Sequence, residues 1–85
     1  MPKSVFTDAY TSFREALVAL RKDAGVSQVE LARRLGKPQQ FVSRYELGIR
    51  RIDVVEFYAI ASALGREPEA AFKLVTGTFP PDLQI

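Results

Sequence analysis

Residues 28–47 read QVELARRLGKPQQFVSRYEL, and two short helices joined by a tight turn account for nearly every residue in the stretch. Ser27 precedes it as an N-cap, with Glu30 three residues on, the spacing of a capping box. Leu31, Ala32 and Leu35 recur at helical spacing. Gly36 can take positive φ without a Cβ penalty and so closes the first helix. Pro38 suits the first turn of the second helix, where its missing N–H costs nothing. Val42 and Tyr45 stand three apart on one face of that helix, and Gln39, Gln40, Ser43 and Arg44 fall on the opposite face.

The chemistry of that outer face is specific. A glutamine amide makes a bidentate contact to adenine, a guanidinium does so to guanine, and a serine hydroxyl serves either base. A solvated amphipathic helix also has a polar outer face, so the surrounding charge has to separate the two readings. Between Arg33 and Arg51 stand Arg33, Arg34, Lys37, Arg44, Arg50 and Arg51, with Glu46 the single acid. The segment therefore carries +5 in a chain whose net charge is +2, leaving −3 for the remainder. A basic zone centred on paired short helices is the electrostatic footprint expected for nucleic acid. Lys37, Arg50 and Arg51 are candidates for phosphate contacts, which fix orientation and carry no sequence information.

The stretch resembles the helix-turn-helix of the Cro and phage-repressor family, the lambda-repressor-like DNA-binding domains that include XRE-type regulators. Gln28, Ala32, Gly36, Val42, Tyr45, Glu46 and Gly48 carry the resemblance, which runs from about Leu17 to Leu64 and more loosely to Val75. It implies an all-α, compact five-helix lambda-repressor-like domain with an extended C-terminal tail. In that family the first helix of the motif crosses the DNA backbone and the second, here 38–47, enters the major groove. The resemblance places Gln39, Gln40, Ser43 and Arg44 at base edges, and Gln28 at a phosphate beside a helix N-terminus that favours anions. It also pairs Arg21 with Glu46 as a structural ion pair. Pro38 and Phe41 are bulkier than the small polar residues common in the repressors, and Leu47 and Ile49 replace polar or basic ones. Phe41 either packs beside Pro38 and Tyr45 or turns its edge to a thymine methyl; packing is the commoner use of an aromatic.

The rest of the chain divides into an arm at 1–6, a domain at 7–76 and a tail at 77–85. Lys3 lies on the arm. Thr7 and Asp8 suit a helix start, and Tyr10, Phe13, Leu17, Leu20 and Ala24 form a buried stripe along that first helix. Val26 points inward as a staple residue ahead of Ser27. Asp53 and Glu56 cap a fourth helix with Phe57, Ile60, Ala61 and Leu64 on its inner face. Pro68 opens a fifth, with Ala71, Phe72 and Val75 inward. Paired prolines at 80 and 81 keep the tail out of helix. Its large apolar residues, Phe79, Leu83 and Ile85, either fold back on the monomer or meet a second copy. A homodimer would use the fifth helix and tail, with Phe72, Leu74, Phe79 and Leu83 at the interface and Ile49 as a neighbour.

Composition narrows the alternatives. The chain has no cysteine and no histidine, so zinc and most transition-metal sites lack their usual ligands, and no metal or cofactor is expected. Only carboxylates, Lys, Tyr and Ser remain for catalysis, and an enzyme is not expected. No apolar run approaches the roughly 18 residues of a membrane span, and the opening Met-Pro-Lys-Ser has no secretory apolar core. The expectation is a cytoplasmic, sequence-specific double-stranded DNA-binding regulator, a repressor acting as a homodimer. The rival is a protein-interaction module, such as an antitoxin that binds a toxin or another regulatory protein.

Overall fold

In the computed structural model residues 5–77 and 79–83 are described, with side chains from Asp8 onward. Of the arm expected at 1–6, residues 1–4 with Lys3 lie outside them, as does the tail residue Ile85, whereas Val5 and Phe6 belong to the first helix. Five helices follow in order: α1 (Val5–Asp23), α2 (Gln28–Leu35), α3 (Gln39–Glu46), α4 (Val54–Ala63) and α5 (Pro68–Thr76), with no strand among the described residues. The all-α, five-helix architecture expected from the sequence is the one observed. No helix among the described residues is long and apolar enough to cross a membrane.

Helix boundaries follow local chemistry, with three corrections. α1 opens at Val5, so Thr7 lies inside the helix instead of capping it. Pro38 occupies the N-cap position of α3, with φ −66° and ψ 154°, and helix begins at Gln39. At α2 only half the capping box forms. The Ser27 hydroxyl accepts the Glu30 N–H at 3.0 Å, but the Glu30 carboxylate turns to Arg33 and Arg34 instead. The box at α4 is complete: Asp53 accepts from the Glu56 N–H at 2.7 Å and Glu56 from the Asp53 N–H at 2.9 Å. Gly36, at φ +67°, closes α2, and the Lys37 N–H reaches back to the Ala32 carbonyl at 3.0 Å. This tight exit holds α3 against α2.

The core gathers one face of every helix: Leu17 and Leu20, Leu31 and Ala32, Val42 and Tyr45, Phe57, Ile60, Ala61 and Leu64, then Ala71 and Val75. Val26 joins it from the turn before α2. In the α1 stripe Tyr10 and Phe13 are only half-buried and Ala24 is exposed, while Ala9 is buried instead. Phe72, expected inward, is 50% exposed. It sits on the flank of α5, with its ring edge-on to Phe57 at 5.9 Å. Phe79 and Leu83 lie half-buried beside α1 and α5, and one turn closes within the tail where the Leu83 N–H meets the Pro80 carbonyl.

Candidate nucleic-acid interface

Burial of Val42 and Tyr45 under α3 turns the other side of that helix outward. Gln39, Gln40 and Arg44 are exposed and Ser43 is half-buried. Ser43 lines an open cleft of about 580 Å³ together with Arg14, Lys22, Gln28 and Leu47. Arg44 makes no ion pair among the described residues.

Behind this face runs a chain of polar contacts. Arg21 donates from Nε to Glu46 Oε2 at 2.7 Å and from Nη2 to Oε1 at 3.1 Å. Gln28 Nε2 donates to the same Glu46 Oε1 at 2.8 Å. The carbonyl oxygen of the Gln28 side chain then accepts from Gln39 Nε2 at 3.2 Å. A carboxylate accepts only, which orients the Gln28 amide, and the Gln28 oxygen in turn orients Gln39. Glu46 is nearly buried, at 7% exposure, yet its charge is fully partnered. The Glu46 hydrogen bond and charge push the Arg21 guanidinium further above its ordinary value than burial pulls it down. Gln28, placed at a phosphate by the resemblance, thus has one amide hydrogen already engaged.

The basic loop behind α3 is tied down as well. Arg50 forms a two-pronged ion pair with Glu56, with Nη1 and Nη2 at 2.9 and 2.8 Å from the two oxygens. Those bonds, with the Asp53 N–H, lower the Glu56 carboxyl below its ordinary value. Arg50 also lies over the Phe41 ring at 4.8 Å, and Lys37 over the same ring at 5.6 Å. Phe41 is half-buried and meets Tyr45 edge-on at 5.8 Å, so its ring packs. Arg51 stacks on Tyr10 at 4.2 Å. Arg33 and Arg34 share Glu30, whose carboxyl those hydrogen bonds hold down to about 2.

Arg14 was missed in the sequence. Its Nη1 donates to the Glu46 main-chain carbonyl, placing a cation at the C-terminal end of α3. Its spacing of seven from Arg21 on α1 is the signal that was available. Gly48 makes room for it: at φ +82°, a Cβ there would stand 3.2 Å from Arg14 Nε. The expected interface residues Phe72, Phe79 and Leu83 meet around one small apolar cavity, whereas Leu74, 58% exposed, is not among its lining residues.

Comparison with known proteins agrees with this arrangement. A helix-turn-helix family model, HTH_3, matches residues 17–70. Among solved structures, the chain is similar to an XRE-family like protein from Pseudomonas syringae pv. tomato str. DC3000 at 37% identity and a TM-score of 0.81. That match covers 89% of this chain and 93% of the other. No protein with a curated functional record matches. With α2, α3 and α4 all inside the matched segment, the chain belongs to the Cro- and XRE-type helix-turn-helix family of DNA-binding regulators.

Proposed function

We propose that the chain is a sequence-specific duplex-DNA binder that represses transcription in the cytoplasm as a homodimer, with α3 in the major groove. The observation that carries this reading is the outward face of α3, where Gln39, Gln40 and Arg44 are exposed, Ser43 is half-buried beside them, and Gln39 is anchored through Gln28. Those four side chains read base edges. Gln28, Lys37, Arg50 and Arg51 meet phosphates on either side, Arg50 through the guanidinium surface that Glu56 leaves exposed. Repression follows from occupancy, since a bound dimer covers promoter DNA. The exposed apolar side chains of α5, Phe72 and Leu74, supply dimer contacts, with Phe79 and Leu83 beside them.

Selection of bound duplexes from a random pool tests the reading. A two-fold symmetric motif with half-sites about 34 Å apart is the expected product. No enrichment over the starting pool overturns base reading, and a single asymmetric half-site overturns the dimer. Sedimentation at micromolar concentration, free and on DNA, checks the dimer separately.

A second reading, a module whose main partner is another protein such as a toxin, is favoured by the apolar surface of α4. Val54, Val55 and Tyr58 are each more than 60% exposed there. Salt separates the readings. Binding through several Lys and Arg phosphate contacts weakens steeply as salt rises, and an apolar protein interface does not.

A further inference from the structure

A cavity of about 180 Å³ lies between the N-terminal half of α1, α5 and the tail, away from the α3 face. Rings and methyl groups form its walls: Ala9, Tyr10 and Phe13 from α1, Phe72 from α5, and Phe79 and Leu83 from the tail. Two lining residues carry hydroxyls, and both hydroxyls are engaged. Thr76 donates to the Phe72 carbonyl at 2.7 Å. The Tyr10 oxygen accepts from the Ile52 N–H at 3.3 Å. Beyond the Tyr10 O–H, the lining side chains offer a guest no hydrogen-bond donor.

From these walls we infer that the cavity is a binding site for a small uncharged aromatic molecule of one or two rings. The size fits, because a dry cavity of about 150 Å³ lined by Leu, Ile and Phe accepts benzene. The walls fit too, since four of the lining residues, Tyr10, Phe13, Phe72 and Phe79, are rings, and aromatic pairs stabilise beyond the area they bury. A charged guest is excluded, since a single hydroxyl does not replace its water. The tail wall is joined to α5 by the Phe79 N–H, which donates to the Thr76 carbonyl at 3.0 Å.

The site also has a link to the basic face. Tyr10 lines the cavity, carries Arg51 on its ring and holds the Ile52 N–H. A guest that shifts the Tyr10 ring shifts the loop between α3 and α4. Resting on the DNA-binding reading proposed above, occupancy changes DNA affinity.

Toluene, with benzoate as its charged counterpart, tests the site by proton–carbon NMR on the full chain. Toluene is expected to cause saturable shifts at the methyl groups of Ala9, Thr76 and Leu83, and benzoate none. Ala9→Leu fills the cavity from α1 and Leu83→Phe from the tail. Each is expected to abolish the toluene shifts while circular dichroism confirms the fold, and the tail variant serves if the helix variant unfolds. No toluene shift, equal shifts with benzoate, or undiminished binding in the filled variants overturns the site. On the selected duplex, toluene is expected to change affinity about fivefold or more in the parent chain and not in Ala9→Leu, the filled variant outside the proposed dimer contacts. Retained NMR shifts with unchanged DNA affinity overturn the coupling alone. The NMR readout needs no DNA, so failure of the site and failure of the DNA-binding reading remain distinct.

Discussion

Arg50 and Glu56 join the loop behind α3 to the first turn of α4 through two parallel hydrogen bonds of 2.9 and 2.8 Å. Glu56 is also one arm of the α4 capping box, so Arg50 serves the scaffold and the basic face together. Arg50→Ala should lower the melting temperature, weaken binding to all duplexes alike, and reduce the salt slope by about 1. Arg50→Lys should restore the slope and only part of the melting temperature, because an ammonium cannot make the planar fork. Fluorescence anisotropy across a salt series, with thermal melts, checks both. A slope unchanged in Arg50→Ala would remove Arg50 from the phosphate contacts.

Gln39→Ala and Arg44→Ala should each cost about 1–3 kcal/mol at one base position and flatten the preference there. Competition between the selected duplex and its single-position variants measures this. Equal losses on selected and random DNA would sink the base-reading assignment.

Arg21 and Glu46 lie in a site that is nearly buried, at 11% and 6% side-chain exposure. Removing either partner strands the other charge, so Arg21→Ala and Glu46→Ala should each destabilise by on the order of 3 kcal/mol. The double variant should lose much less than the two single losses together, as measured by urea unfolding. Additive losses would show that the pair is not coupled.

The Tyr45 hydroxyl is buried with no hydrogen-bond partner among the described residues, and burial raises its pKa well above the ordinary phenol value. Tyr45→Phe keeps the ring against Phe41 and removes the orphan oxygen. It should stabilise the chain by about 1 kcal/mol, read from the urea midpoint. A loss of stability would mean that the hydroxyl has a partner.

Acid should destabilise the chain partly through Glu30. Its folded carboxyl titrates near 2 against an ordinary value of 4.5, held down by Arg33 and then Arg34. A lowered folded pKa contributes stability that is present above the ordinary value and lost as pH falls toward the folded one. Glu56, lowered by Arg50 and the Asp53 N–H, acts in the same direction. Melting temperatures from pH 5 downward should fall less steeply in Glu30→Gln than in the parent chain.

The paired helices were legible because their boundaries are written in residues with one physical use. Ser27 caps, Gly36 turns, and Val42 and Tyr45 fix which side of α3 is inward. The start of α1 was not legible, since the preference of Thr7 for a cap is small beside the gain from extending a helix that is already packed. The partners of Glu30 were local but ambiguous: two arginines, three and four residues on, outcompete the second half of the capping box. Gln28 and Arg50 were harder still. Gln28 meets residues 18 and 11 positions away, and the Arg50 partner sits across a loop, so only the assembled fold shows which polar atoms remain available.

The four outward side chains of α3 differ in how freely they can be exchanged. Gln39 is tethered to Gln28 and, through it, to the buried carboxylate of Glu46. A new residue at 39 gives up an acceptor chosen for an amide, so a change of target there calls for a matched change at 28. Ser43 and Arg44 have no such tether among the described residues. Divergence toward new operators should therefore begin at 43 and 44 by single steps, with 39 and 28 changing late and together.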